Sequence, residues 1–232
     1  MLTLLNKVNY KEVVQVASRG SRGKRAYDGS RRQADARQRQ RRIVEAATDL
    51  FTRQGFGATS INQIASAADV SAQTIYATYT SKAGVLAKAI DVAVAGDFDG
   101  APVIERVPAL GGATRPQLFA RFAEFAGIVC ALNQRVAPLI RVLEQSASSD
   151  AALGQLRSQL VDAIRSDAMH WVGQLGPDRL RPDMSEREVA DVLAATSSPA
   201  VFSMLTVDSG WTPERYERWL AGALPGLLLG TG

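Results

Sequence analysis

Apolar residues recur at helical spacing along almost the whole chain, and no stretch shows the alternation expected of a strand. The first clear case starts near Ala36. Its amphipathic face consists of Ile43, Ala46, Ala47, Leu50 and Phe51. Gly55 follows as a helix stop signal. The pattern therefore predicts an all-α protein whose first amphipathic helix ends close to Gly55.

Serine residues mark the starts of the next helices. Ser60 and Gln63 have the spacing of a capping box, in which each side chain satisfies a backbone N–H of the other residue. That helix can be only about two turns long, because Ser71 caps a second short helix and Ser81 caps a longer one. Three closely spaced helices, with a short turn after the middle one, predict a helix-turn-helix.

The remainder of the chain continues as helices after a loop at 96–114 that contains Gly and Pro. The predicted helical stretches are 115–131, 132–147, 150–175, 185–208 and 213–229. Pro213 suits a first helical turn, where its missing N–H costs nothing. Pro199 lies inside a predicted stretch, and we expect it to kink or split that helix.

Charge is distributed unevenly along the chain. Residues 1–82 contain 14 Lys and Arg against 6 Asp and Glu, whereas residues 83–232 contain 13 against 17. A basic N-terminal part followed by a mildly acidic remainder is typical of a nucleic-acid-binding protein with a separate second domain. A charge run by itself is equally consistent with a solvated tail that binds nothing. We expect residues 1–34 to form a flexible basic arm.

Composition limits the other classes of function. No apolar run approaches the roughly 20 residues that span a bilayer, so we expect no membrane partner. The single cysteine, Cys130, excludes an internal disulfide and suits a cytoplasmic location. One cysteine and one histidine do not supply the usual ligands of a zinc site, and no phosphate-binding glycine motif follows a strand. We therefore expect no metal, no cofactor and no enzyme activity.

The most specific part of the sequence lies between Gly55 and Lys82. It contains the run Gly55-Phe56-Gly57-Ala58-Thr59-Ser60-Ile61-Asn62-Gln63-Ile64-Ala65, then Ala68-Asp69-Val70-Ser71, Thr74-Ile75-Tyr76, Tyr79 and Ser81-Lys82. This run closely resembles the DNA-binding signature of the TetR (tetracycline-repressor-like) family of transcriptional regulators. The resemblance implies an N-terminal three-helix helix-turn-helix DNA-binding domain, followed by a helical-bundle ligand-binding and dimerisation domain.

Two positions depart from the family pattern. Asp69 stands in the turn where the family usually has glycine. Aspartate tolerates a left-handed backbone better than most residues, so we expect the turn to survive. Ala83 replaces a frequent acidic residue, and we expect no consequence.

The resemblance also implies where the domains divide. We expect residues 1–34 to be the basic arm and residues 35–82 to be the DNA-binding domain, with a linking helix to about residue 95. Residues 96–229 are the helical regulatory and dimerisation domain.

In this resemblance the helix from Ala72 to Thr78 presents its N-terminal residues to base edges in the major groove. The Gln73 side chain suits a bidentate contact to adenine, and Thr74 suits a base or a phosphate. Tyr76, Tyr79 and Lys82 correspond to phosphate contacts that fix the register on DNA. The predicted DNA-binding residues are Thr59, Ser60, Ser71, Ala72, Gln73, Thr74, Tyr76, Tyr79, Lys82 and Arg41.

Alternative roles remain open for several of these residues. Thr59 and Ser60 lie at a helix N-terminus that favours a phosphate oxygen, but Ser60 and Ser71 are also expected to act as caps. Tyr76 and Tyr79 are also suited to ordinary core packing. The arginines near the start of the first helix are expected to add non-specific, salt-sensitive attraction. They are Arg37, Arg39, Arg41 and Arg42.

The last helix carries an apolar stripe formed by Tyr216, Trp219, Leu220, Ala223, Leu224 and Leu227. Burial within its own subunit is one explanation of the stripe. The resemblance implies the other, a dimer interface formed by the last two helices at about 185–229. A twofold dimer also suits the geometry of DNA, because one short helix spans only half of a palindromic operator.

The resemblance further implies a pocket for an unidentified small-molecule effector among the middle helices. The candidate pocket residues are Phe122, Phe125, His170 and Trp171. Aromatic residues at helical spacing are more often plain core, and a single histidine more often faces solvent. The predicted function is that of a ligand-responsive homodimeric repressor that binds double-stranded DNA. The alternative is a helical protein-interaction module without specific DNA binding.

Overall fold

The computed structural model describes residues 26–96 and 106–230. Within those ranges the chain forms nine α-helices and no strand, with a single antiparallel bridge between Leu180 and Leu229. The helices are α1 (Ala26–Ala58), α2 (Ile61–Ala67), α3 (Ala72–Tyr79), α4 (Lys82–Ala95), α5 (Arg115–Ser146), α6 (Ala151–Gly173), α7 (Glu186–Thr196), α8 (Pro199–Ser203) and α9 (Pro213–Leu228). The all-α prediction is confirmed. We call α1–α4 the head and α5–α9 the body.

Helix α1 is longer than its apolar pattern indicates. It begins at Ala26, so the last nine residues of the predicted arm are helical, whereas residues 1–25 of that arm lie outside the described residues. Gly55 interrupts the helix with φ 81°, a value that glycine adopts without a Cβ penalty. The predicted stop signal at Gly55 therefore coincides with a real break.

Three serine caps define the start of each following helix in the head. The side chain of Ser60 accepts the Gln63 N–H, and the Gln63 side chain accepts the Ser60 N–H in return, which completes the predicted capping box. Ser71 caps α3 and Ser81 caps α4 in the same i to i+3 manner. The short lengths of α2 and α3 are therefore set by local side-chain chemistry.

The body is organised around α5, a continuous helix of 32 residues. The sequence pattern predicted two helices here, at 115–131 and 132–147, and that division is wrong. A buried face, apolar except for Asn133, runs from Leu118 to Leu143, and the ring of Pro138 is exposed on the other side of the helix. Burial along the whole length outweighs the lost hydrogen bond at the proline.

Pro199 splits the predicted 185–208 helix, as expected. Helix α7 ends at Thr196, and α8 begins at Pro199 with Ser198 as its cap. A π-helical turn, Met204–Asp208, follows α8 directly.

Two apolar clusters form the interior. The first contains the core of the head together with the C-terminal half of α5 and the N-terminal half of α6, from Leu132 to Leu160. The second joins the N-terminal half of α5 to the end of α6 and to α7 and α9, and it contains most of the body's aromatic side chains. Because the first cluster crosses the predicted boundary near residue 95, the head is packed against the C-terminal half of α5 and the N-terminal half of α6.

Two segments, Arg115–Ser146 and Glu186–Asp208, are long and apolar enough to cross a membrane by length and composition alone. Helix α5 owes its apolar character to its position in both clusters, because it contacts the head on one part and α9 on the other. The second segment is broken at Pro199 and retains exposed apolar side chains at Met204 and Val207.

Candidate nucleic-acid interface

A left-handed residue shapes the turn between α2 and α3. Asp69 has φ 52°, which is the left-handed conformation expected for a position where the family usually has glycine. The N–H groups of Asp69 and Val70 donate to the carbonyl oxygens of Ser66 and Ala65, which closes the end of α2. The Asp69 carboxylate lies 3.5 Å from a guanidinium nitrogen of Arg42, but it is almost fully exposed, so this ion pair contributes little to stability.

Helix α3 has one face in the core of the head and one face in solvent. Ile75 and Tyr79 are buried, whereas Gln73 and Tyr76 are exposed, Tyr76 to 53%. Ala72 and Thr74 are partly exposed at the N-terminal end. An exposed amide and an exposed phenol on a short rigid helix are suited to contacts with base edges and phosphates.

The two cap serines remain accessible at the ends of their helices. Ser60 and Ser71 are both exposed, and the Ser71 hydroxyl also lies 2.8 Å from the Thr74 hydroxyl. Their capping role is confirmed by the hydrogen bonds to Gln63 and Thr74. Contact with DNA stays a prediction for both residues.

Two predicted contact residues lie inside the head. Thr59 is only 1% exposed, and its hydroxyl donates to the Gly55 carbonyl oxygen at 2.8 Å while it accepts from the Gln54 side chain. Tyr79 is 6% exposed and belongs to the first apolar cluster. Both side chains pack in the core of the head, which is the alternative left open for Tyr79.

Lys82 is partly exposed, and its ammonium group binds the backbone of the head. Its Nζ donates to the carbonyl oxygens of Phe56 and Thr59, each at 2.7 Å, and lies 4.2 Å from the centroid of the Phe56 ring. Burial lowers the pKa of Lys82, and the charge of Asp150 partly opposes this effect. The ammonium group therefore binds the turn between α1 and α2 in this structure.

The N-terminal part of α1 carries exposed cations next to α3. Arg37, Arg39 and Arg41 are all exposed. Arg39 lines a notch between the helices together with Thr74 and Thr78. Sequence reasoning did not identify Thr78, because only the tertiary packing of α1 against α3 places it beside an arginine.

Gly84 is a second residue that sequence reasoning missed. A Cβ at this position would lie 2.2 Å from the Tyr79 carbonyl oxygen, so only glycine allows α4 to approach the end of α3 this closely. A glycine in the first turn of a capped helix indicates such a close approach. It destabilises the helix relative to alanine, so its presence there suggests that a larger side chain does not fit.

The predicted pocket residues in the body are divided by the structure. Phe125 and Trp171 stack at 4.2 Å between ring centroids and line a cavity of about 70 Å³. Phe122 is fully buried behind Trp171, and His170 is exposed. The cavity wall also includes Ser197, Ser198 and Pro199, where α7 passes into α8.

The apolar stripe of α9 faces two environments. Tyr216, Leu220 and Leu224 are completely buried in the second cluster, which corresponds to burial within the subunit. The other half of the stripe is partly exposed and consists of Trp219, Ala223 and Leu227. The ring centroids of Trp219 and Trp211 are 6.1 Å apart. The backbone N–H of Trp211 donates to the Leu205 carbonyl oxygen, so this half of the stripe adjoins the π-helical turn.

Within 26–96 and 106–230, no three His, Cys, Asp or Glu side chains come together as a metal site would require. Burial raises the pKa of Cys130, whose thiol donates to the Pro213 carbonyl oxygen.

Comparison with known proteins adds two findings on the sequence. Residues 43–89 match the family model of bacterial regulatory proteins of the tetR family. This interval contains the C-terminal part of α1, both short helices and the first half of α4. No curated protein sequence matches the chain.

Solved structures share the fold over most of the chain. NalD, the secondary repressor of the MexAB-OprM multidrug efflux pump in Pseudomonas aeruginosa, is 21% identical with a TM-score of 0.63, over 84% of this chain and 98% of NalD. A protein from Rhodococcus sp. described as a TetR-family transcriptional regulator is 16% identical with a TM-score of 0.63, over 83% and 99% of the two chains. A third, from Mesorhizobium loti, is 21% identical with a TM-score of 0.59, over 83% and 95%.

Proposed function

We propose that this chain, whose residues 43–89 match the tetR family of bacterial regulatory proteins, is a DNA-binding transcriptional repressor of that family and acts as a homodimer. The observation that carries the proposal is the exposed face of α3. Gln73 and Tyr76 project from a helix whose opposite face, with Ile75 and Tyr79, is anchored in the core. Such a rigidly mounted polar face is what a recognition helix requires.

Base recognition is assigned to the N-terminal end of α3. Gln73 forms a bidentate contact to an adenine, and Ala72 and Thr74 lie beside it against base edges. Ser71 and Tyr76 contact phosphates, together with Ser60 at the start of α2. The exposed arginines of α1 add salt-dependent attraction, and Arg41 belongs to this group.

The dimer interface is assigned to the apolar surface around the π-helical turn and the outer half of α9. Met204 and Val207 are 51% and 60% exposed, which is unusual for large apolar side chains, and Trp211 and Trp219 extend the same surface. The occupant is a second copy of the chain, because a palindromic operator requires two recognition helices related by a twofold axis.

The effector is assigned to the cavity beside Phe125 and Trp171. The cavity of about 70 Å³ is far smaller than the roughly 300–1,000 Å³ of a typical organic-ligand site, so the body must widen to hold such a ligand. Widening displaces the wall at Ser197–Pro199 and therefore α8 and the adjoining dimer surface. An effector that binds only the widened form would shift the dimer away from its DNA-binding arrangement, typically by about 1–3 kcal/mol.

Selection of bound duplexes from a random DNA pool, at a fixed salt concentration, tests the DNA-binding proposal. We expect a palindromic sequence to be enriched. Gln73→Ala is expected to weaken binding by about 1–3 kcal/mol per contact and to relax one base position in each half-site. Gln155→Ala, at an exposed position of α6, serves as the control and is expected to bind as the parent does. If no sequence is enriched over the starting pool, specific DNA binding is excluded.

Light scattering on the double variant Met204→Lys/Val207→Lys tests the dimer. The charges are exposed in a monomer but would be buried without partners in the interface, so we expect monomers. Phe119→Lys, which also replaces an exposed apolar residue, is expected to remain dimeric. A dimeric double variant would place the interface elsewhere.

A further inference from the structure

Lys82 is the first residue of α4, the helix that joins the head to the body. Its ammonium group is bound to two backbone carbonyl oxygens of the α1–α2 turn and to the face of Phe56. We propose that Lys82 is a positioning residue that clamps this turn to α4 and thereby fixes the orientation of the recognition helix. The inference rests on the proposed function as a DNA-binding protein.

The contacts of Lys82 account for most of its binding capacity. An ammonium group has three N–H donors, and two of them form short, charge-assisted bonds to Phe56 and Thr59. The Phe56 ring occupies a further side of the cation. The carbonyl groups lie just after the break in α1, and the Phe56 carbonyl oxygen also accepts the Thr59 backbone N–H at 3.3 Å. Moving the ammonium to a phosphate would leave these acceptors without their charged partner.

The clamp encloses the helix-turn-helix. One of its ends is the Thr59 carbonyl, directly before the Ser60 cap of α2, and the other is Lys82 at the start of α4. Residues 60–81, which contain both short helices, therefore lie inside a ring that the Lys82 bond closes. The Thr59 hydroxyl holds the turn a second time, because it donates to the Gly55 carbonyl oxygen at 2.8 Å.

The surroundings of the clamp connect it to the body. Helix α4 packs against α1 in the head and against α5 and α6 in the body. A displacement of α4 is therefore transmitted through Lys82 to the start of α2. The clamp offers a route by which the body can alter the pose of α3.

A phosphate ligand and a clamp respond differently to substitution. Loss of a phosphate contact lowers the slope of log affinity against log salt concentration by roughly 0.9 for each protomer. Arginine replaces lysine well at such a contact. Loss of the clamp leaves the slope unchanged. Arginine does not restore it, because a planar guanidinium does not fit between two carbonyl oxygens that each lie 2.7 Å from a point-like ammonium.

The experiment compares Lys82→Met, Lys82→Arg and Arg39→Gln in the full-length dimer, on the selected operator and on non-specific duplex. Measurements are made well below the unfolding temperature of every variant, so that a loss of stability alone does not alter affinity. Both Lys82 variants are expected to lose about tenfold or more in operator affinity at an unchanged salt slope, with non-specific affinity retained. Arg39→Gln is expected to lower the slope.

Amide hydrogen exchange without DNA gives an independent measurement. We expect faster exchange at residues 57–64 in both Lys82 variants and unchanged exchange in Arg39→Gln. The proposal is overturned if exchange is unchanged in Lys82→Met, or if Lys82→Arg binds as the parent while Lys82→Met loses salt slope. If the parent protein binds no DNA specifically, the proposed function fails, whereas the exchange result still decides whether the clamp exists.

Discussion

In the head, helices of seven and eight residues are held by side chains three positions away, whereas in the body a helix of 32 residues is held by contacts with distant parts of the chain. Ser60, Ser71 and Ser81 each bond within their own first turn. In the body, Asn133 donates to the Ser197 carbonyl oxygen and Trp171 to the Pro108 carbonyl oxygen, each across more than 60 residues. Because these bonds are local, the helices of the head can be predicted from its sequence. The structure of the body depends instead on which distant helix faces pack together.

The contacts of Lys82 are the main exception in the head. They join residues 23 and 26 positions apart, and no cap or helix period signals them. Even a domain formed largely by local bonds therefore relies on a few long-range contacts to set the angles between its helices.

The largest expected effect tests the dependence of the body on burial. Phe122→Ala removes a fully buried ring that meets Trp171 edge to face at 5.6 Å, so we expect a loss of about 3–5 kcal/mol in the free energy of unfolding. Phe119→Ala, on the exposed side of α5, is expected to cost less than about 0.5 kcal/mol. Urea unfolding at one fixed protein concentration measures both. Equal losses would show that the two faces of α5 do not differ as described.

The next effect tests the close approach of α3 and α4 in the head. Gly84→Ala places a Cβ 2.2 Å from the Tyr79 carbonyl oxygen, which backbone atoms cannot accommodate without a shift. We expect a loss of about 2–3 kcal/mol. Gly57→Ala is the matched control, because a Cβ there meets nothing within 4 Å. Thermal unfolding of both variants decides the point, and a Gly84→Ala protein as stable as the parent would refute the contact.

The smallest effect concerns the turn between α2 and α3. Asp69→Ala is expected to cost about 1 kcal/mol, because alanine tolerates φ 52° less well than aspartate. Asp69→Gly is expected to cost less, since glycine has no Cβ in conflict with this backbone. Urea unfolding separates the two explanations of Asp69. If glycine costs as much as alanine, the ion pair with Arg42 rather than the backbone determines the effect.

The predicted elements of the head correspond closely to the structure. The break at Gly55, the capping box at Ser60 and the left-handed Asp69 all follow from short-range rules on backbone conformation and capping. Their positions were predictable because each rule involves residues within one helical turn. The inward direction of Lys82 was not, because the same motif is compatible with a solvent-facing side chain.

The body was predicted less completely. The apolar pattern located the helices and the split at Pro199, but it divided α5 in two, and it did not distinguish Phe125 at the cavity from Phe122 behind it. It also did not separate the buried half of the α9 stripe from the outer half around Trp219. An apolar period shows that a face avoids water, but it does not state which surface covers that face.

The sequence alone determined the helical class, the caps and the order of the helix-turn-helix, because these depend on the conformational preferences of neighbouring residues. Only the tertiary structure decided that Thr59 is buried in the head, that Lys82 binds the backbone of the head, that the first apolar cluster joins head and body, and that Met204 and Val207 stay exposed. Those outcomes depend on how separate apolar faces compete for burial, and that competition is settled only when the whole chain packs.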